Sequence, residues 1–302
     1  MYFLVKIGLV LSGGGSKGAA HIGVIKALLE NKIKIEYIAG TSSGSIIASL
    51  YAMGYNPSQI SDMFMKYCKN MTDIDKLLPL KILSCFYSNE LCIKGICKGK
   101  SLENAMYKYA NLKNIKDIAD IKMPIAIPTV DVNTGEVIYF LNRKVKENLK
   151  ENNIKLYDDN PTYYYSGKIS QIVRASCSIP AVFLPKNINN HMLVDGGIRE
   201  NTPVSILKKM GASNVVAVTF DANKNRLNKC TNILTITMQS FDIICHQINQ
   251  DELEIADDVI RLNIEEVSML GCDKIQECIE NGYYETIKHI SKIKSLNNNI
   301  MK

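Results

Sequence analysis

Two strand–turn–helix units open the chain, and they constrain its fold more than any other feature. Residues 6–32, "KIGLVLSGGGSKGAAHIGVIKALLENK", read as an apolar strand, a glycine turn and an apolar-periodic helix. Residues 33–55, "IKIEYIAGTSSGSIIASLYAMGY", repeat the pattern. Consecutive units of this kind favour a parallel sheet with helices on both faces. We therefore predict an α/β protein of three layers, α/β/α, with a mainly parallel central sheet and with the two turns at one sheet edge.

Composition excludes several classes of protein. The 302 residues are 46% hydrophobic and 22% charged, which is sufficient for a sizeable core and argues against general disorder. A net charge of +6 does not demand a nucleic-acid partner, and none is predicted. The nine cysteines form no Cys-x-x-Cys pair, so we expect reduced thiols, no metal site and a cytoplasmic location. No apolar run reaches the roughly 18 residues of a membrane span.

The glycine turn at Gly13–Gly18 indicates an anion site, and three interpretations compete for it. A P-loop needs a lysine where Ala19 stands, so that interpretation fails. A dinucleotide site fits the glycine spacing but needs an acidic residue at the end of the second strand, whereas Glu36 stands at its start. The third interpretation is an oxyanion hole, in which backbone N–H groups bind charge that develops on a carbonyl oxygen.

The second turn favours the oxyanion hole. Gly40-Thr41-Ser42-Ser43-Gly44 is a Gly-x-Ser-x-Gly motif between a predicted strand and a predicted helix. In that context the motif forms a nucleophile elbow, which presents the serine hydroxyl at the helix N-terminus. A serine that merely caps the helix is the alternative. The context predicts Ser42 as a nucleophile.

A nucleophilic serine needs a base, and two arrangements remain open from the residues alone. Asp195 in "LVDGGIRENTPV" stands at the end of a predicted strand before two glycines, although an ordinary turn would look the same. A Ser–Asp–His triad could combine Asp195 with His246 or His289. His21 is expected to be a packed helix residue. In "RASCSIPAVF", Arg174 is expected to be structural and Cys177 a buried small residue.

Four motifs together resemble those of the patatin-like phospholipase family, in particular its bacterial-type acyl hydrolases. They are "GGGSKGAAHIGVIKAL", "GTSSGS", "RASCSIPAVF" and "VDGGIRENTPV". The resemblance implies hydrolysis of lipid acyl esters, most simply of phospholipase A type, by a Ser–Asp dyad without histidine, metal or cofactor. Carried over by motif, Ser42 is the nucleophile and Asp195 the base. The motifs also imply an oxyanion loop of Gly13, Gly14 and Gly15, supported by Lys17, Gly18, Gly40, Gly44, Gly196 and Gly197.

The chain departs from the family pattern at two places. We expect one domain over residues 1–302 with variable insertions near 80–100 and 144–167, which would shape the acyl pocket. The first insertion is expected to be an irregular surface segment and the second a polar loop, and Ser101 is expected to cap the helix that follows the first. The first insertion combines apolar residues with Lys94, Lys98 and Lys100, a composition typical of peripheral contact with an anionic membrane. A lid or core-covering loop with solvated lysines is the alternative. The alternatives to a lipid hydrolase are an idle scaffold or regulatory member of the same fold and, less favoured, a dinucleotide-binding enzyme.

Overall fold

The computed structural model describes residues 6–69, 73–76, 93–151, 162–221, 232–264 and 273–298. The first predicted unit is β1 (Ile7–Leu11), a 3₁₀ turn (Gly15–Ala19) and α1 (Ala20–Glu30). The second unit is β2 (Tyr37–Gly40) followed by α2 (Ser43–Ala52). The remaining helices are α3 (Pro57–Cys68), α4 (Lys100–Leu112), α5 (Arg143–Glu151), α6 (Ile169–Ser176), α7 (Val204–Lys209), α8 (Ile233–Glu254) and α9 (Ile275–Asn298).

The strands confirm the mainly parallel sheet. They are β3 (Gly95–Cys97), β4 (Ile125–Asp131), β5 (Val137–Leu141), β6 (Thr162–Tyr164), β7 (Ala181–Phe183), β8 (Lys186–Ile188), β9 (His191–Asp195), β10 (Asn214–Phe220) and β11 (Asp258–Leu262). The central sheet runs β11-β10-β1-β2-β4-β5-β6 and is parallel except where β4 meets β5. β9 joins β4 antiparallel and also pairs with β8, while β3 and β7 form a separate parallel pair.

Alternation along β1 separates two apolar layers and confirms the three-layer arrangement. Side chains of successive strand residues point to opposite faces. Leu9 and Leu11 belong to the larger core cluster, with α1, α2, α3, α4, α6 and α9. Val10 belongs to the smaller cluster on the other face, with residues of α5, α7 and the end of α8. The sheet is therefore buried on both faces, as its continuous apolar strands predict.

Two local predictions were wrong. The region 144–167 was expected to be a loop insertion, but it contains α5 and β6, because Val145 and Leu149 form a buried stripe one helical turn apart. Ser101 does not cap α4. The N-cap is Gly99, with φ +69°, and the carboxylate of Asp73 accepts hydrogen bonds from the Gly99 and Ser101 N–H groups.

The predicted insertion near 80–100 falls mostly on residues 77–92, which lie outside the described part, as do residues 152–161 of the second insertion. Within the described part, residues 95–97 form β3 rather than an irregular segment. Lys98 pairs with Asp75 at 2.9 Å. The proposed membrane contact of this insertion stays a prediction.

Candidate active site

The two turns lie side by side at the carboxyl ends of β1 and β2. Leu11 is the register partner of Gly40, and the Thr41 N–H donates to the Leu11 carbonyl at 3.1 Å. Gly44 packs against the carbonyl oxygens of Leu11 and Ser12, where a Cβ atom would collide with both. A glycine at position 44 is therefore required for the second turn to pack on the first.

Ser42 has the backbone conformation of a nucleophile elbow, with φ +51° and ψ −124°. A positive φ in a non-glycine residue costs on the order of 1–3 kcal/mol and persists only where neighbours hold it. Here the Ser42 N–H donates to Ser176 Oγ at 3.1 Å, and Ser176 donates to the Pro128 carbonyl at 2.8 Å. The Ser42 side chain makes no capping hydrogen bond to α2, so its hydroxyl is left for other chemistry.

Asp195 is fully buried at the end of β9. Its Oδ1 accepts the Gly197 N–H at 2.8 Å, whereas its Oδ2 has no aligned hydrogen-bond partner. Burial raises the pKa of the carboxyl group to about 7, and the nearby Ser42 hydroxyl and the Gly197 N–H act in the opposite direction. The Ser42 hydroxyl is thus close enough to interact with a carboxylate whose basicity burial has increased.

The glycine loop differs in detail from the expected oxyanion site. The Gly13 N–H donates to Asn201 Oδ1 at 2.9 Å and is therefore already engaged. The N–H groups of Gly14 and Gly15 have no acceptor among the described residues, and the 3₁₀ turn that begins at Gly15 cannot supply one for its own first residues. The oxyanion hole stays a prediction, now centred on Gly14 and Gly15.

The supporting motif residues pack around these turns. Lys17 is only 6% exposed, although it is a lysine. A Cβ atom at Gly18 would meet the Ser43 side chain, and one at Gly40 would meet the Gly44 carbonyl. At Gly196 a Cβ atom would lie 2.5 Å from the Pro128 carbonyl oxygen. These glycines allow the first turn to pack on the elbow and the segment after Asp195 to pack on β4.

Two cavities meet at Ser42. The larger is a polar cleft of about 550 Å³, counting the part open to solvent. It is lined by Gly13, Gly14, Lys17, Ser42, Asn201, Thr219, Phe220, Asp221, Phe241, Asp242, Cys245, His246 and Asn249. The smaller, about 370 Å³, is mostly apolar and is lined by Gly15, Ser16, Ser42, Ser43, Ile46, Phe64, Tyr67, Cys68, Cys177, Ile179 and Phe183.

No histidine bonds to Ser42 or Asp195 within the described ranges. His289 Nδ1 pairs with Asp258 at 2.9 Å, at the other end of the sheet order. His246 lines the polar cleft but makes no hydrogen bond to either residue. His21 is buried, as predicted, and burial lowers its pKa to about 4 while its Nε2 contacts the Ser12 carbonyl at 2.8 Å. The geometry favours a dyad over a triad.

Arg174 and Cys177 have the structural roles expected of them. The buried Arg174 guanidinium donates to the carbonyl oxygens of Lys98 and Leu184, at 2.7 and 2.8 Å, and to Ser178 Oγ. It thereby joins α6 to the β3 and β7 segments. Cys177 is buried, and burial raises the pKa of its thiol, so the thiol is not poised to ionise.

Three site residues were missed from the sequence. Asn201 binds the Gly13 N–H, Ser176 binds the Ser42 N–H, and the Cys245 thiol donates to the Gly197 carbonyl at 3.0 Å. Asn201 and Ser176 lie inside the quoted motifs "VDGGIRENTPV" and "RASCSIPAVF", which was the available signal. Cys245 lies on α8 and carried no signal.

Metal and membrane features were also sought in the described ranges. There, no three His, Cys, Asp or Glu side chains cluster in a way that could hold a metal ion. The same ranges contain no helix that is long and apolar enough to cross a membrane.

The chain is similar in sequence to curated proteins. The chain is 29% identical over 212 residues to "Lysophospholipase NTE1" of Meyerozyma guilliermondii, covering 70% of this chain and 12% of that protein. It is 29% identical over 216 residues to "Patatin-like phospholipase domain-containing protein 6" of Mus musculus, covering 70% and 13%. The chain thus spans about an eighth of the length of these curated relatives.

The chain also has a match among solved structures. VipD from Legionella pneumophila aligns with a TM-score of 0.49 at 16% identity, covering 96% of this chain and 67% of that one. The family model described as patatin-like phospholipase matches residues 9–208, a range that includes both Ser42 and Asp195. The chain therefore belongs to the patatin-like phospholipase family.

Proposed function

We propose that this protein is a serine acyl hydrolase that cleaves carboxylic esters of lipids, with phospholipase A type cleavage as the specific reaction. One observation carries the proposal. Asp195 is fully buried with no hydrogen-bond partner on Oδ2, its carboxyl group is near enough to the Ser42 hydroxyl for that hydroxyl to affect its pKa, and Ser42 has an elbow conformation at the start of α2. A nucleophile next to a carboxylate of raised basicity is the arrangement that acyl transfer requires.

The reaction follows in two half-cycles. Ser42 Oγ attacks the ester carbonyl and its proton passes to Asp195, while the Gly14 and Gly15 N–H groups bind the oxyanion. The intermediate collapses, and the alcohol leaves with the proton from Asp195. Water then attacks the acyl-enzyme and gives its proton to Asp195. Collapse of the second intermediate releases the fatty acid and returns the proton to Ser42. The cycle needs no metal or cofactor.

The two cavities at Ser42 support a model in which two parts of the lipid substrate bind in separate cavities. The apolar cavity, lined by Ile46, Phe64 and Ile179 among others, suits the acyl chain. The polar cleft, with Lys17 and Asn201 in its wall, suits the alcohol part of the lipid. Transfer of the acyl chain from water to the first cavity supplies affinity, and polar contacts in the second orient the ester.

The domain organisation and the cellular location of the protein are also proposals. All the strands of the central sheet share two apolar clusters, which supports one domain with insertions near 80–100 and 144–167. Cys68, Cys97, Cys177, Cys245 and Cys278 are all free thiols, which supports a cytoplasmic location. Since the substrate is a lipid, we infer that the protein works at a membrane surface without a nucleic-acid partner.

A hydrolysis screen tests the proposal. Purified protein is incubated with lysophospholipid, diacyl phospholipid, triacylglycerol and soluble short-chain esters, and released acid is quantified. Lysophospholipids are included because two relatives carry the name lysophospholipase or phospholipase. We expect release by wild type and by Ser58→Ala, which changes an exposed serine of α3, but none above background by Ser42→Ala. Absence of release by wild type would favour the idle scaffold instead.

A further inference from the structure

Helix α8 presents an uncovered apolar face. Its first three turns expose four isoleucines: Ile233 by 84%, Ile236 by 52%, Ile243 by 59% and Ile244 by 47%. At about 100° per residue these four positions fall within an arc of roughly 100°. They extend over about 16 Å of helix. Exposed Ser240 also lies within this arc, between the two isoleucine pairs, so the face is aliphatic apart from one small hydroxyl. Clustered exposure of this kind marks an interaction surface rather than scattered exposure.

The opposite face of the same helix forms a wall of the polar cleft. Phe241, Cys245 and Asn249 line that cleft together with Ser42. Met238 and Phe241 pack against the main core, and the Cys245 thiol donates to the Gly197 carbonyl at 3.0 Å. The helix is therefore seated by its inner face, while the isoleucines point away from the cleft.

The near absence of charged residues on this part of α8 favours an apolar partner. Between residues 233 and 249 only Asp242 carries a formal charge, and it lies on the cleft side. An aliphatic face without lysine or arginine suits the acyl region of a lipid layer better than a charged protein or nucleic-acid surface. Because Phe241 and Cys245 on the other side of the same helix line the cleft, a lipid layer that meets the isoleucines lies about one helix diameter, roughly 10 Å, from the cleft where a lipid ester would react.

We propose that the α8 isoleucine face, Ile233, Ile236, Ile243 and Ile244, inserts into the surface of a phospholipid bilayer and holds the cleft of Ser42 within about one helix diameter of that surface. This inference rests on the proposed function for its choice of a lipid partner. It differs from contact through Lys94, Lys98 and Lys100, which would depend on anionic lipid and on salt. Apolar insertion depends on neither.

Vesicle co-sedimentation tests the inference. We expect wild type to bind neutral phosphatidylcholine vesicles at low and at high salt. Changing the four isoleucines together to glutamine should reduce the partition coefficient by about 10-fold or more, since binding scales with buried apolar area. The matched control changes four other exposed aliphatic residues, Ile74, Leu112, Ile255 and Ile287, to glutamine and should bind as wild type does.

Measurements of ester hydrolysis distinguish an error in the bilayer-insertion inference from an error in the proposed function. The α8 variant should hydrolyse a soluble short-chain ester at the wild-type rate but act more slowly on vesicle lipid. Ser42→Ala should bind vesicles normally. Equal binding by the α8 variant and wild type, or wild-type binding abolished by salt, would overturn the inference. A wild-type dimer that the α8 substitutions convert to a monomer in sedimentation velocity would assign the face to a second copy and likewise overturn it.

Discussion

The backbone N–H of Gly13 donates to Oδ1 of Asn201 at 2.9 Å, across 188 positions of sequence. This bond ties the glycine loop to the segment that follows Asp195. The same segment contacts the elbow, because Thr41 Oγ1 donates to the Glu200 carbonyl at 2.7 Å. Nucleophile, base and glycine loop are therefore joined through one short stretch, residues 195–201.

Asn201→Ala tests whether this tie positions the glycine loop. Loss of the acceptor frees the Gly13 end of the loop, so the N–H groups of Gly14 and Gly15 lose preorganisation. We expect kcat on a soluble ester to fall by about 10- to 100-fold, with KM little changed, because the loop acts on the transition state. Asn111→Ala, an exposed position on α4, is the control. An unchanged kcat in Asn201→Ala would show that the bond has no part in positioning.

The activity should depend on pH through the base. Asp195 must be ionised to accept a proton, and burial raises its pKa to about 7. We expect kcat/KM for a soluble ester to rise with pH, to level off above pH 7 to 8, and to be about 100-fold lower at pH 5 than on the plateau.

A second buried acid provides the control for that profile. Burial, and then the charge of Glu252, raise the pKa of Glu200 to about 7 as well. Glu200→Gln should keep the same midpoint, since Glu200 is not the base. If the midpoint of the kcat/KM profile were absent in Glu200→Gln, the group that titrates would be Glu200 and not Asp195.

Stability should respond to pH in the opposite direction to activity. Burial raises the pKa of Asp195 to about 7 in the folded state, against an ordinary value of 3.8 for an aspartate. Between these values the folded protein holds a proton that the unfolded chain releases, so the free energy of unfolding falls as pH rises through this window. The Asp195→Asn side chain cannot ionise, so this variant does not lose that free energy of unfolding as the pH rises. We expect it to gain on the order of 2–4 kcal/mol relative to wild type between pH 4 and pH 8.

Urea unfolding of both proteins at the two pH values measures this gain. A difference between wild type and Asp195→Asn that is the same at pH 4 and pH 8 would contradict the raised pKa.

Paired substitutions separate the dyad from a triad. Asp195→Asn keeps the size of the side chain but cannot accept a proton, so kcat should fall by about 100-fold or more. His246→Ala and His289→Ala should keep kcat within about 3-fold, because general-base catalysis by histidine would cost far more. Steady-state kinetics on a soluble ester, with circular dichroism to verify folding, decide the matter. A histidine variant as impaired as Asp195→Asn would establish a triad.

The fold could be predicted, and Ser42 and Asp195 could be selected as candidates, because their signals are local in the sequence. Apolar strands, glycine turns and periodic helices stand next to one another around Ser42, and a strand end with two glycines marks Asp195. Helix α5 was missed because only Val145 and Leu149 are apolar among its mostly charged residues. A polar helix with so narrow a stripe resembles a loop until its packing partner is known.

The bonds that refine the site could not be predicted, since they join distant parts of the chain. Ser176 reaches Ser42 across 134 positions, and Asn201 reaches Gly13 across 188. The residue type alone does not predict such a long-range hydrogen bond, because serine and asparagine commonly occupy turns and helix caps in proteins. Only the assembled sheet shows that the Gly13 N–H is engaged, while those of Gly14 and Gly15 meet no acceptor in the part of the chain that the structure describes.

Covalent labelling of Ser42 tests the central claim most directly. A fluorophosphonate probe reacts with an activated serine hydroxyl, and intact-mass and peptide mass spectrometry locate the adduct. Wild type should gain one probe, on the peptide that contains Ser42, while Ser42→Ala should gain none and Asp195→Asn should react much more slowly. A probe found on another serine, or labelling that persists in Ser42→Ala, would contradict the assignment of Ser42 as the nucleophile.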